Sequence, residues 1–525
     1  MPFAPKTYTF LCGCFAALGS ILFGYDLGII ASILPNTDFL RVTGHPNANY
    51  LGFIVSAFLL GAFFGCIPAA ILADRYGRRL AILVGAIVFL LGGTLQTAAQ
   101  NKGMMLAGRF FAGFAVGMLS QLAPLYQSEI AHPSIRGRLT TLQQFFLGIG
   151  AFIASFVGYG CYKNYPDGPA GWRLPLALQM APAVPLAAMI FLFPESPRWL
   201  CKVGRDEDAI KSLARLHANG NVNDVFVQSE IYELKLSVDE EARLTKNAWR
   251  QIFTIPQNLR RVFLGFVLQA SVQFTGVSVI QYYSTLIFST IGIDANKTLL
   301  LQSINSILAL FGEACCIAFV DRLGRRWPLI GANIVSGMTF IAATAIQAIY
   351  PNSHHKVSAG WAFVMMTWIF NFAFSSAIGP ISWAYPVEIL NTGIRAKGTA
   401  LTSMGAWLFN FFIGQVSPIA LQNIGWKYYI VFAVGGFTNA LTVYLFFPET
   451  KGRTLEEMDG YFARTYWIVP LAAHEVIDHR AREKDLSQGI VPLTNEKVVG
   501  VRSISPNDDY KGDIVHNEKV GGTSV

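Results

Sequence analysis

One carboxylate, Asp26, stands in the middle of the first long apolar run, Thr9 to Leu34. If that run crosses a bilayer, the acid lies well inside hydrocarbon. An ionisable group there is costly, and by default it serves a proton relay or a substrate or ion site with a partner. A second acid, Glu313, lies in another apolar run, eight residues before Asp321. It either faces an internal cavity, where it would meet substrate or a proton, or pairs with a loop arginine near the inner face.

The remaining charges come in matched sets. Asp74-Arg75-Tyr76-Gly77-Arg78-Arg79 recurs as Asp321-Arg322-Leu323-Gly324-Arg325-Arg326. Glu129 precedes Arg136 by seven residues, as Glu388 precedes Arg395. Pro194-Glu195-Ser196-Pro197-Arg198 returns as Pro448-Glu449-Thr450-Lys451-Gly452. Glycine permits a tight turn between the two signs of charge. The turn Asp is expected to accept from backbone N–H groups at a helix N-terminus, and the Arg forks to pair with Glu129, Glu195, Glu388 and Glu449. Such a network, completed by Arg136, Arg198 and Arg395, would hold one end of the molecule together in one state and release it in another. The plainer alternative is a topology signal alone.

These residues need long apolar elements to position them. The chain of 525 residues is 53% hydrophobic and only 14% charged, with 48 Gly and 24 Pro. Soluble domains carry about 25% charged residues. Some twelve apolar runs fit the roughly 20 residues that cross a bilayer. They lie near 8–32, 50–73, 80–100, 104–128, 139–161, 172–193, 259–288, 298–320, 328–350, 361–385, 397–420 and 426–447. The first is too long for a signal peptide and carries an acid. Basic residues concentrate in the loops after spans 2, 4, 6, 8 and 10, which puts both termini in the cytoplasm. The net charge of +8 therefore reads as topology, and nucleic acid is not an expected partner.

The fold class expected is an all-α polytopic membrane protein of twelve transmembrane helices in two six-helix halves. Residues 1–193 form one half and 259–447 the other. A cytoplasmic helical linker fills 194–258, with amphipathic helices near 205–217 and 224–243. A cytoplasmic tail fills 448–525, disordered from about 480. Parallel repeats of this kind build transporters with a site between the halves. The seven scattered cysteines suggest neither a disulfide framework nor a metal site. No cofactor and no catalytic set is expected.

Read in order, Phe23-Gly24-Tyr25-Asp26, Asp74 to Arg79, Gly108-Arg109-Phe110, Arg136 through Gln144, Pro194 to Arg198, Gln273-x-x-Gly276 with Tyr282-Tyr283, Asp321 to Arg326, Gly379-Pro380 with Trp383, and Pro448-Glu449-Thr450 resemble the sugar porter family of the major facilitator superfamily. Within it the chain resembles the fungal monosaccharide–proton symporters. The resemblance implies the major facilitator fold and places Arg109 opposite Asp26 as a proton-coupling pair. Nothing in the second half repeats that pair. Burial disfavours charge on a carboxylate while a guanidinium favours it, so a partner that moves away in one state would make Asp26 a proton carrier. A static ion pair fixing two helices is the alternative.

The resemblance also implies that Gln144 and Gln273 bind sugar hydroxyls, since an amide both donates and accepts. Trp383 and Trp407 would offer ring faces to the sugar, and Tyr282 and Tyr283 an extracellular gate. Ser278 stands where many members have Asn, and Ala309 where they have Asn in span 8. Asn305, one turn away on the same face, is the substitute. Val272 and Ala406 are further departures, and together they unsettle an ordinary glucose preference. Gln269, at i−4 from Gln273, is as readily interhelical glue. The function implied is proton-coupled uptake of a hexose, pentose or related sugar across the plasma membrane by a monomer, with protons and the bilayer as its other partners. The alternatives are a facilitative uniporter and a non-transporting sugar sensor.

Overall fold

The computed structural model describes residues 5–132, 136–245, 247–290, 292–350, 356–391, 393–453, 455–464, 467–471, 474–475 and 503–504. Beside some of the breaks, as at 136–142, only the backbone is described. The tail expected to be disordered from about 480 lies outside the described residues, except for 503–504, which pair antiparallel with 474–475.

The chain folds as twelve long helices that cross a membrane, here labelled α1–α12. The first six are α1 (Thr7–Ile33), α2 (Ala48–Tyr76), α3 (Arg78–Thr97), α4 (Lys102–Ile130), α5 (Arg136–Asn164) and α6 (Ala170–Leu192). The last six are α7 (Pro256–Ser289), α8 (Ala295–Leu323), α9 (Arg326–Ile349), α10 (Ser358–Ile389), α11 (Arg395–Ile424) and α12 (Tyr429–Phe446). A 3₁₀ turn at Gly425–Tyr428 is all that separates the last two, so they form one apolar stretch of 52 residues. Three spans are discontinuous. In α1 the helix is interrupted between Ala16 and Leu18. In α6 the helix stops at Leu178 and restarts at Ala183. In α7 it stops at Gln273 and restarts at Val277. Gly276 has φ +90° there, and a Cβ would fall 2.4 Å from the Phe340 ring.

In hydrocarbon, helices associate through close packing of small residues rather than by hydrophobic exclusion. The α2–α4 seam is built that way. Gly61 and Gly65 on α2 face Gly113 and Gly117 on α4, each pair spaced by four so that both members share a face. A Cβ on any of the four would lie 1.9–2.2 Å from a carbonyl oxygen of the opposite helix. Side chains longer than hydrogen are excluded at these four positions.

Between α6 and α7 the chain forms the helices Pro197–Lys202, Asp206–His217, Val225–Thr245 and Ala248–Thr254. Leu213, Val227 and Ile231 are buried together with Trp199. The Thr9 hydroxyl donates to the Leu216 carbonyl at 2.8 Å, which ties this segment to the first helix. After α12 a further helix, Leu455–Arg464, buries Met458 and Phe462 and pairs Asp459 with Arg261. The polar composition after Pro448 hid it.

The ends of the bundle differ. At one end Gln415 of α11 accepts from Ser56 (2.7 Å) and donates to Asn49 Oδ1 (2.7 Å), both on α2. Thr285 of α7 donates to the Ala31 carbonyl of α1 at 3.3 Å. These neutral bonds close that end. The charged turns lie at the other end, where every ion pair among the described residues stays within the first six helices and the segment after them, or within the last six and the segment that follows.

Candidate functional site

Arg78 forms a two-toothed pair with Glu129 at 2.7 Å on both arms, and Arg325 reaches Glu388 at 2.9 and 3.1 Å. Glu195 accepts from the backbone N–H groups of Arg78 (3.1 Å), Arg79 (3.2 Å) and Ser196 (2.9 Å). Glu449 accepts from Arg325, Arg326 and Thr450 at 2.9–3.0 Å. These two glutamates therefore cap α3 and α9, where the sequence pattern had put the turn aspartates. Asp74 and Asp321 are instead exposed. Asp74 pairs with Lys202 (3.1 Å), and Asp321 with Arg325 (3.3 Å). The glycine between the two signs of charge explains the change. Gly77 and Gly324 have φ +96° and +83°, and this turn directs the next two N–H groups at the glutamate.

Burial pushes the Glu195 carboxyl above the usual carboxylate range, with its three backbone donors opposing. Burial pulls the Arg325 guanidinium down, but the carboxylates of Glu388 and Asp321 hold it above its ordinary value. The backbone of Arg136 opens α5, while its side chain lies outside the described residues. Arg395 donates to the Leu390 carbonyl at 3.3 Å. Arg75 lies over the Tyr76 ring. The Arg322 carbonyl accepts from Lys451 at 2.6 Å.

The mirrored pairs differ in burial. Arg78 and Glu129 are each 6% exposed, Arg325 and Glu388 17% and 29%. Glu388 also keeps a donor in the Thr450 hydroxyl at 2.5 Å. Breaking a pair costs most where the remaining charge is sealed from water. Arg78→Ala is thus expected to destabilise the purified protein by about 1–2 kcal/mol more than Arg325→Ala. Thermal unfolding in detergent measures it, and equal losses would refute the argument.

Asp26 and Arg109 meet as expected. One guanidinium nitrogen of Arg109 donates to both Asp26 oxygens, at 2.9 and 3.0 Å. Its Nε donates to the Ile54 carbonyl at 3.3 Å, and the Phe58 ring lies 4.8 Å away. Asp26 is 0% exposed and Arg109 2%. The pair joins α1 to α4 and touches α2.

One turn along α1, Phe23, Leu27 and Gly28 line a cavity of about 180 Å³ between the two sets of six helices. All six residues assigned to sugar, Gln144, Gln273, Ser278, Asn305, Trp383 and Trp407, line it. The break in α7 brings Ser278 back towards Gln273, so its hydroxyl donates to Gln273 Oε1 at 2.9 Å. In α10 a π-turn at Phe374–Ile378 runs into Gly379-Pro380. Single π-turns mark functional sites in many helices, and this one presents Phe374, Ser375 and Trp383 on one cavity wall. Trp407 packs on Phe23 with ring centroids 5.1 Å apart, which links the cavity to the helix of Asp26.

Tyr282 also lines the cavity, and its hydroxyl accepts from Asn410 at 3.2 Å. Tyr283 points away from it and donates to the Gly414 carbonyl at 2.6 Å. Gln269 takes the glue role, since its amide donates to the Ser382 carbonyl at 2.9 Å, although it borders the cavity too. Asn371, Asn410, Gln281 and Gln302 are lining residues that sequence reasoning missed. Each was visible as an amide in an apolar run. The break in α7 shifts the helical phase of Gln281, and the π-turn in α10 shifts Asn371 relative to Trp383. Asn296 of the Asn296-Lys297-Thr298 sequon sits in the first turn of α8 with Thr298 fully buried, a poor glycan acceptor.

Residues 12–462 match the family model described as sugar (and other) transporter. The chain is 34% identical to the MFS-type transporter criB of Aspergillus cristatus, over 86% of this chain and 92% of that protein. It is 32% identical to the high-affinity glucose transporter of Kluyveromyces lactis, over 98% and 94%. Among solved structures it is similar to the xylose transporter XylE from E. coli in a partially occluded inward open conformation. That match has TM-score 0.72 and 25% identity, covering 86% of this chain and all of the other. It is also similar to the proton:xylose symporter XylE bound to 6-bromo-6-deoxy-D-glucose, at TM-score 0.72 and 26% identity over 86% and 99%.

Proposed function

Since this chain belongs to the sugar (and other) transporter family, we propose that it carries a monosaccharide and a proton together across the plasma membrane by alternating access. One observation carries the reading. A cavity whose polar wall is mostly neutral amides, hydroxyls and tryptophans lies beside a sealed Asp26–Arg109 pair that does not line it. Amides that donate and accept match sugar hydroxyls, and rings match the sugar's C–H faces. The acid beside them can gain or lose a proton without entering the sugar site.

The basic turns support a cytoplasmic location for their end of the bundle and for both termini. The end held by Gln415, Ser56 and Asn49 then faces outward and is closed. In the cycle, sugar and proton enter while the outer end is open. Protonation of Asp26 weakens its hold on Arg109 and allows that end to close over the sugar. Release of both to the cytoplasm restores the pair. Tyr282 and Tyr283 narrow the outer approach, and the mirrored charge networks keep each half rigid as it moves. The first six helices move against the last six, with the segment 194–258 spanning them from below.

The test is uptake of labelled D-glucose and D-xylose into liposomes holding the purified protein, with and without a protonophore. A pH gradient acid outside is expected to drive accumulation that the protonophore abolishes. Gln273→Ala and Trp383→Ala are expected to raise KM tenfold or more, in line with about 1.4 kcal/mol for a lost contact. Uptake that only equilibrates, insensitive to the protonophore, would leave a facilitative carrier. Binding without uptake would leave a sensor.

A further inference from the structure

Glu313 is the one acidic or basic side chain among the residues that line the cavity. It stands on α8 two turns beyond Asn305 and one turn beyond Ala309, and all three face inward. Its carboxyl is 5% exposed, sits beside the Gln144 amide, and leaves Oε2 without a hydrogen-bond partner. No described Lys or Arg forms an ion pair with it, so the loop-arginine alternative fails. Opposite it on α5 stands Gly148, one turn from Gln144. A Cβ there would lie 2.2 Å from Glu313 Oε2. The absent side chain gives the carboxyl its room, and so Glu313 reaches from the second half into a notch in the first.

Resting on the sugar-carrier reading above, we propose that Glu313 is a specificity-determining contact: its carboxylate accepts hydroxyl hydrogens of a bound neutral sugar and turns away sugar acids. A buried carboxylate is costly unless it is paired or hydrogen-bonded. A neutral sugar supplies hydroxyl donors, and charge-assisted O–H···O⁻ bonds are about twice as strong as neutral ones. A hexuronate would set a second carboxylate against the first within the same small space, which is discrimination by repulsion. No Lys or Arg is among the described residues that line the cavity to offset it. Because the contact bridges the two halves at Gly148, it forms where they close around sugar.

The experiment uses the full-length protein in liposomes, with labelled D-glucose and D-xylose as probes and D-glucuronate as competitor. Glu313→Gln keeps the shape and removes the charge. It is expected to raise KM for the neutral sugars about tenfold to hundredfold and to make D-glucuronate an effective competitor. Accumulation at saturating sugar stays protonophore-sensitive. Gly148→Ala, which displaces the carboxyl without deleting it, is expected to raise KM in the same direction. Size-exclusion profiles confirm that both variants fold. Glu313→Gln with unchanged KM and D-glucuronate still excluded overturns the proposal, as does loss of accumulation with KM intact, which would make Glu313 a coupling residue. If wild type moves no sugar in the same liposomes, the carrier reading falls and this one with it. If wild type transports and the variant is indistinguishable from it, only this one falls.

Discussion

Asp26→Asn abolishes concentrative uptake while leaving sugar exchange between equal concentrations close to wild type. The physical argument is that Asn keeps the volume and a hydrogen bond to Arg109, whose nitrogen now donates to an amide oxygen instead of a carboxylate at 2.9 and 3.0 Å. What is lost is the group proposed to take up and release a proton. The proposed sugar contacts at Gln144, Gln273 and Trp383 line the cavity, which Asp26 does not, and stay in place. A driving force of 100 mV on one proton is worth about 2.3 kcal/mol, which caps accumulation at roughly fiftyfold. The variant is expected to fall to a ratio near one. Liposomes loaded with unlabelled sugar measure exchange, and an imposed gradient measures accumulation, in the same preparation. Persistence of accumulation in Asp26→Asn would move the coupling site elsewhere, and loss of exchange would make Asp26 part of the sugar site.

Arg109→Ala has the larger effect on the fold. Arg109 neutralises a carboxylate that is fully enclosed and also donates to the Ile54 carbonyl. Removing it leaves that carboxylate without its partner, and such orphaned charges cost about 3–5 kcal/mol. That is a large share of the 5–15 kcal/mol by which proteins are ordinarily stable. Arg109→Ala is expected to give little folded protein on extraction. The pairing argument makes a sharper demand: Asp26→Asn placed in the same chain removes the orphaned charge and is expected to restore much of the yield. Fluorescence-detected size exclusion reads the folded fraction of both. A double variant no better than Arg109→Ala would mean that the packing of the guanidinium on Phe58, and not its charge, holds these helices.

The fold was legible because its signals are long and repeated. Twelve apolar runs, alternating basic loops and two sets of charged marks all state the same architecture, and local noise averages out over twenty-residue spans. The site was legible where polar groups had no other reason to lie in hydrocarbon, as with Asp26, Gln144 and Gln273. What stayed hidden depends on phase. A glycine break in α7 rotates everything beyond it, so the inward amide Gln281 could not be placed by counting in steps of 3.6, and a π-turn in α10 puts Asn371 out of step with Trp383. The capping exchange between Asp74 and Glu195 was hidden for another reason. It is set by a positive φ at Gly77, and sequence spacing shows that a glycine permits such an angle but not where the next two N–H groups will aim. Glu313 remained ambiguous until its neighbour was known, because a glycine on another helix decides whether it has room.

The bare-backbone seam between α2 and α4 has a mechanical consequence. Four glycines bring carbonyls of one helix against the α-carbons of the other, and at these four contacts there is no side chain to reorient and no slack to take up. Glu195 clamps the end of α3 to the segment after α6 through two backbone bonds. The first six helices therefore behave as a lever and not as a hinge. A small tilt at the cavity is carried undiminished to both ends of the bundle. Asp26 and Arg109 sit beside this joint, at the fulcrum, where the proposed change of one proton would act on the whole arm.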